Sequence, residues 1–178
     1  MKVIMTVMLM VLIHQVSLSQ IKWEQGRMRF VQVVEVPGAS KKSLYLQAKL
    51  WFTNTFKSAN AVIQLDDAEA GTIVGKGIAT IYITILGHTN EVLMPLTIRI
   101  DVKDGKFRYQ FYDIMYSQED GDVPCERYIA KENMYRKNGK AKVMPKKYEF
   151  ATLNKLSSLK ESLESGMKIS TGDTSDDW

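Results

Sequence analysis

Ile98-Arg99-Ile100-Asp101-Val102-Lys103-Asp104-Gly105-Lys106-Phe107-Arg108-Tyr109-Gln110-Phe111 decides the fold of this chain. Two alternating runs flank Asp104-Gly105, a pair that suits the φ > 0 positions of a two-residue hairpin turn. Counting outward pairs Val102 with Phe107, Asp101 with Arg108, Ile100 with Tyr109, Arg99 with Gln110 and Ile98 with Phe111. One face then collects Ile98, Ile100, Val102, Phe107, Tyr109 and Phe111, and the other Arg99, Asp101, Arg108 and Gln110. A slip of one residue would move the apolar set into water, so the pattern specifies its own register.

Upstream, Thr72 to Leu86 alternates in the same way, with Ile73, Gly75, Gly77, Ala79, Ile81, Ile83 and Ile85 on one side and Val74, Lys76, Ile78, Thr80, Tyr82 and Thr84 on the other. Gly75-Lys76-Gly77 lacks the lysine-hydroxyl pair of a phosphate loop, and glycines at period two in a strand instead allow close backbone approach or a bulge. Gly87-His88-Thr89-Asn90 reads as the turn that follows, and Asp66 to Gly71 as a polar connection after a short strand, Ala61 to Leu65. Met28 to Val36 is a further strand, ended by Pro37-Gly38.

Ser40 caps a helix over Lys41 to Phe56, where Leu44, Tyr45, Ala48, Trp51, Phe52 and Phe56 recur at helical spacing. A second helix is expected from Ala151 to about Met167 on the stripe Leu153, Leu156, Leu159 and Leu163. Ser117 to Lys147 shows no periodicity and reads as a long connection with one short element around Tyr128 to Ala130, and the acidic tail 170–178 as disorder. The fold class is therefore α+β: one antiparallel sheet of about five strands with two helices on a single face, in one domain over 20–169. Those helices are expected to bury Leu44, Ala48, Trp51, Phe52, Leu156, Leu159 and Leu163 against Ile81, Ile83, Ile98 and Ile100.

Residues 1–19 have the form of a secretory signal. A cationic start, Met1-Lys2, precedes the apolar run Val3 to Ile13, and Ser17 and Ser19 stand where a signal peptidase reads small residues. The run is short of the roughly 20 residues of a spanning helix. Cleavage near Ser19-Gln20 is expected, giving a periplasmic or secreted protein without a transmembrane anchor in its mature form.

Val33-Val34-Glu35-Val36-Pro37-Gly38, followed by Leu44-Tyr45, Ala48-Lys49, Trp51-Phe52, Val62-Ile63-Gln64-Leu65-Asp66-Asp67 and Gly75-Lys76-Gly77, resembles a known family. It is similar to the domain-of-unknown-function family of secreted Bacteroidota proteins described as having a TBP-like fold. The likeness runs over about Val31 to Tyr116 and loosely on through the last helix. It implies a curved sheet with helices on one face and carries over no catalytic or binding residues. DNA binding by the fold's namesake does not follow, since a fold does not fix a function.

The composition excludes several chemistries. With 24 Lys and Arg against 20 Asp and Glu the surplus is mild, unlike the concentrated basic stripe of nucleic-acid binders, so no nucleic-acid partner is expected. Beyond residue 19 the chain has one histidine, His88, and one cysteine, Cys125, too few for a usual zinc site, so neither metal nor cofactor is expected. No disulfide can form within the chain, and Pro124-Cys125-Glu126 places a carboxylate beside the thiol, which disfavours a thiolate. Asp66, Asp67 and Glu69, and Glu119, Asp120 and Asp122, read as solvated turns; Lys137, Lys140, Lys142, Lys146 and Lys147 read as a solvated loop whose alternative partner is acidic lipid or polysaccharide.

The function expected is non-catalytic: a binding or structural module of the bacterial envelope with a protein, peptide or glycan partner. A carboxylate-dependent hydrolase is the alternative, and would need two acidic side chains converging in a pocket. The candidate binding surface is the polar sheet face, with Tyr82, Arg99, Asp101, Arg108 and Gln110, flanked by Thr80 and Thr84, and joined by Tyr112 if no bulge intervenes.

Overall fold

A computed structural model describes residues 20–56 and 62–168. The expected signal segment, 1–19, and the tail, 170–178, lie outside the described residues. In chain order the elements are β1 (Gln20–Glu24), β2 (Arg27–Glu35), α1 (Lys41–Thr55), β3 (Ile63–Asp67), β4 (Thr72–Ile85), β5 (His88–Lys103), β6 (Lys106–Tyr112), β7 (Met115–Gln118), β8 (Gly121–Pro124), α2 (Glu126–Ile129), α3 (Lys131–Met134) and α4 (Val143–Gly166). Six strands form one antiparallel sheet in the order β1-β2-β6-β5-β4-β3, and β7 and β8 pair as a separate hairpin. The sheet thus has six strands where about five were expected. The extra one is β1, which folds back on β2 through Gln25 and Gly26 at φ 50° and 75°, the left-handed pair of a tight hairpin.

The central hairpin has the register that its alternation dictates: Val102 faces Phe107, Ile100 faces Tyr109 and Ile98 faces Phe111. Only Gly105 of its turn takes a positive φ, 75°; Asp104 does not. Asp104 caps instead, its Oδ1 accepting from the Lys41 amide at 2.7 Å, while Gly105 N–H donates to Ala39 O at 2.8 Å. With Ser40 Oγ accepting from Ser43 N, the start of α1 is fixed to the hairpin tip by two side-chain caps.

The register places Ile73, Ile81, Ile83, Ile98, Ile100, Phe107, Tyr109 and Phe111 on one face, all buried. Leu44, Ala48, Trp51 and Phe52 of α1 and Leu156, Leu159 and Leu163 of α4 are buried with them, as the helical stripes require. Trp51 joins the two helices, its Nε1 donating to Ser162 Oγ at 3.1 Å. Gly75 and Gly77 admit aromatic rings, not another backbone: a Cβ at Gly75 would stand 2.6 Å from Phe52 Cε1, and one at Gly77 2.3 Å from Phe56 Cε1. The bulge lies on the neighbouring strand, between Ile63 and Leu65, and β3 runs to Asp67, two residues further than its apolar pattern.

Three other expectations are corrected. The turn after β4 is Leu86-Gly87 alone, with φ 48° and 85°, and His88 pairs with Ile85 as the first residue of β5. Ser117 to Lys147 is ordered structure: it contains the β7–β8 pairing, α2 and α3, and its Tyr128 ring stacks on Tyr148 at 4.5 Å and meets Tyr116 edge-on at 5.6 Å. The last helix begins at Val143, eight residues before the expected start at Ala151, and accommodates Pro145 in its first turn, where no amide partner is lost. Among the described residues no helix is long and apolar enough to cross a membrane.

Two stability outcomes follow from this packing. Trp51→Ala is expected to lower unfolding free energy by about 3–5 kcal/mol, the range for removing a buried large aromatic, as measured by chemical denaturation. Gly75→Ala, which adds one methyl against the fully buried Phe52, should cost about 1–3 kcal/mol. Adding Phe52→Leu to Gly75→Ala should cost less than the sum of the two single changes; strict additivity would contradict the ring contact.

Candidate functional site

The face opposite the helices is open, and all six predicted residues project from it. Register with β4 sets Thr72 opposite Asp101 and Val74 opposite Arg99; register with β6 sets Arg108 opposite Asp101 and Tyr112 opposite Thr97, with no bulge. Five of the six therefore form one patch: Arg99, Asp101, Arg108, Gln110 and Tyr112. Tyr82 is separated from it. It lies six residues along β4 from Lys76, the residue level with Thr97 and Tyr112, hence about 20 Å from Tyr112 at the rise of a strand. Near Tyr82 the same face carries Ile78 and Leu93, both exposed, whereas Thr84 and Thr89 bond to each other through Oγ1 atoms 3.0 Å apart.

Asp101 is the electrostatic centre of the patch. Its Oδ1 accepts from Arg99 Nε at 2.9 Å and from Thr72 Oγ1 at 2.9 Å. Its Oδ2 accepts from Arg108 Nη2 at 2.7 Å and Nε at 3.1 Å. Burial pushes the Asp101 carboxyl upward, but the hydrogen bonds from Arg99, Arg108 and Thr72 outweigh it and hold the group below the ordinary carboxylate range. The same bonds push the Arg99 guanidinium further up. One carboxylate thus fixes two guanidinia whose outer edges stay in water, leaving a net positive, pre-oriented pair of donors.

Residues that the sequence pattern did not single out complete the surface. Thr72 enters through the β4–β5 register, and Arg29 of β2 lies 5.3 Å over the Tyr112 ring. Val33, Lys103 and Lys106 join Arg108 around a depression of about 240 Å³. A second depression of about 520 Å³ opens where Asp113, Met115 and Asp122 come beside Lys76, Ile78 and Pro95. The period-two pattern of β2 and β6 already put Val33 opposite Arg108, so that much was readable once β2 was paired with β6.

The other titratable groups are engaged elsewhere. Asp66 binds Lys49 Nζ at 2.6 Å and Tyr45 Oη, and hydrogen bonding from Lys49 and Tyr45 lowers its carboxyl. Asp67 Oδ1 accepts from Ala70 N, and Asp122 Oδ1 from Ser117 Oγ, each within its own turn. Cys125 is buried, and burial followed by the neighbouring Glu126 pushes its thiol up, away from a nucleophilic thiolate. His88 stands exposed on β5. Among the described residues no cluster of three or more His, Cys, Asp or Glu side chains could hold a metal ion.

Comparison with known proteins gives a family and a fold. Residues 30–117 match the family described as "Domain of unknown function (DUF4468) with TBP-like fold". A DUF4468 family protein from Bacteroides ovatus superposes with a TM-score of 0.72 at 17% identity, over 86% of this chain and 93% of that one. A TBP-like protein from Parabacteroides distasonis gives 0.64 at 17% identity, over 81% and 94%. No curated protein matches this chain.

Because the Asp101 carboxyl is held below its usual range, its contribution to stability is complete above the unfolded-chain pKa and is lost as pH falls through the folded value. Asp101→Asn should therefore cost about 1–3 kcal/mol at neutral pH, the scale of charge-assisted hydrogen bonds. The gap between parent and variant should shrink below about pH 4. Denaturation midpoints measured from neutral to acid pH test this, and a gap that stays constant on acidification would contradict the ion-pair assignment.

Proposed function

We propose that this chain, which belongs to the DUF4468 family of TBP-like fold, is an exported, non-catalytic binding module of the bacterial envelope whose open sheet face receives a protein or peptide. The observation that carries the reading is the asymmetry of the sheet. Its helix-covered face holds the core, while the opposite face presents a rigid Arg99–Asp101–Arg108 cluster at one end and Tyr82, Ile78 and Leu93 at the other. Arginine and tyrosine are the residues that recognition surfaces enrich, and fixing guanidinia in advance lowers the ordering cost of binding. Arg108 and Tyr82 lie on strand levels ten residues apart, about 33 Å, so one partner touching both must be extended along the strands. Guanidinia held in this way suit carboxylate or backbone carbonyl acceptors, and the apolar end suits aliphatic or aromatic side chains. Export rests on the form of residues 1–19.

Tyr82→Ala and Arg108→Ala, separately and together, test the reading by capture from envelope extract. The double variant should lose about tenfold or more in capture, as expected for truncating two contact residues, with a thermal midpoint lowered no further than by Asp101→Asn, since Arg108→Ala removes two of the hydrogen bonds on Asp101. Protease treatment of the extract should abolish capture; persistence after proteolysis would point to a glycan. Equal capture by parent and double variant would overturn the assignment of this face. Export is checked by fractionation and intact mass, with a mature N-terminus at Gln20 expected in the envelope fraction.

A further inference from the structure

Positive charge is concentrated in one segment of this chain, whose Lys146 pairs with Glu149 just beyond it at 3.0 Å. Glu126–Lys147 holds eight of the 24 Lys and Arg and two of the 20 Asp and Glu, leaving 16 against 18 for the rest. Glu126 is itself buried, where its Oε1 accepts from Met28 N at 2.8 Å. The cations are held in place by the fold. Tyr135 bridges to Ala141, and Arg136 N–H donates to Lys140 O at 2.8 Å, which closes the loop that carries Lys137 and Lys140. Lys142 N–H donates to Met134 O at 2.8 Å, which seats that loop on the start of α4.

Apolar side chains stand in water within this basic field. Val143, Lys147 and Phe150 share one face of α4 at i, i+4 and i+7, and Lys147 Nζ donates to Thr84 O beside the β4–β5 turn. That contact sets Lys147 on the residue two positions before the turn residue Leu86. Leu86 is 94% exposed, Phe150 69% and Val143 65%. Leu86 also sits at φ 48°, a conformation that asparagine or glycine accepts more readily than leucine. The chain thus places a leucine where both backbone and solvent disfavour it.

We infer that this basic region docks on the surface of an anionic lipid bilayer, with Leu86, Val143 and Phe150 entering the interface and the surrounding lysines and arginines facing lipid headgroups. Charge complementarity selects an anionic partner, and apolar tips ringed by cations select one with an apolar interior beneath its charge. A soluble polyanion supplies only the first. The inference does not depend on the open-face reading, because it uses other residues and another partner.

Vesicle co-sedimentation of the mature chain, residues 20–178, tests it, using phosphatidylcholine alone and phosphatidylcholine with phosphatidylglycerol. Binding is expected to the anionic vesicles only, and to weaken as salt rises toward roughly 0.5 M. Leu86→Asn suits the turn, so it should keep or raise the thermal midpoint while weakening vesicle binding by about tenfold, the scale of losing one inserted apolar anchor. Phe150→Ser, and separately Lys137→Glu with Lys140→Glu, should weaken binding comparably. Equal binding to neutral vesicles, or binding indifferent to Leu86→Asn and Phe150→Ser, would overturn the inference. So would binding to soluble polyglutamate that is as tight as to vesicles and that only the lysine changes weaken.

Discussion

The alternation of the β5–β6 hairpin is the constraint on which the rest of the molecule depends. Side chains in a strand change face at every residue, so pairing Ile100 with Tyr109 commits Asp101 and Arg108 to the other side. The helices must then cover the apolar face, because leaving Ile98, Ile100, Tyr109 and Phe111 in water would forgo most of the available burial energy. The same turn also starts the first helix, through Asp104 on the Lys41 amide and Gly105 on Ala39 O. Sheet register and helix placement are set at one point in the chain.

Where periodicity was strong the fold was legible. The hairpin register, the faces of β4, and the stripe from Leu44 to Phe52 all follow from apolar spacing, since each element buries one side. The signal failed where burial is shared among isolated residues. Cys125, Ile129 and Met134 enter the core one at a time, so Ser117 to Lys147 shows no repeat although it is ordered. The link from Glu126 to Met28 N spans 98 residues and has no local trace. In β4, the glycines were visible, but that they admit Phe52 and Phe56 depends on where α1 lands.

The candidate surface was legible in the same uneven way. Alternation alone put Arg99, Asp101, Arg108 and Gln110 on one face, and this holds whatever the sheet's neighbours are. Separating Tyr82 from that patch needed the length of the β4–β5 pairing, which the turn at Leu86-Gly87 lengthens by starting β5 at His88. The surplus of Lys and Arg was countable, yet its meeting with Leu86 depends on Lys147 reaching Thr84 across 63 residues of sequence. Long-range contacts of this kind are invisible to local pattern.

The two proposed surfaces are coupled through β4. Tyr82 and Leu86 are four residues apart, about 13 Å along the chain, so the apolar end of the open face adjoins the basic region. The Arg99–Asp101–Arg108 cluster lies at the far end, beside the hairpin tip that anchors α1. A bilayer under Leu86 and Phe150 would leave that cluster distal to the lipid, about 46 Å further along the strands, the span from Leu86 to the level of Thr72. An extended partner would then run from the lipid surface outward, apolar contacts near the headgroups and guanidinium contacts above them. Along that face the tip of the β4–β5 arm sets Tyr82 against Glu91 among threonines, Ile78 and Leu93 follow, and the Arg99–Asp101–Arg108 cluster lies toward the β5–β6 turn.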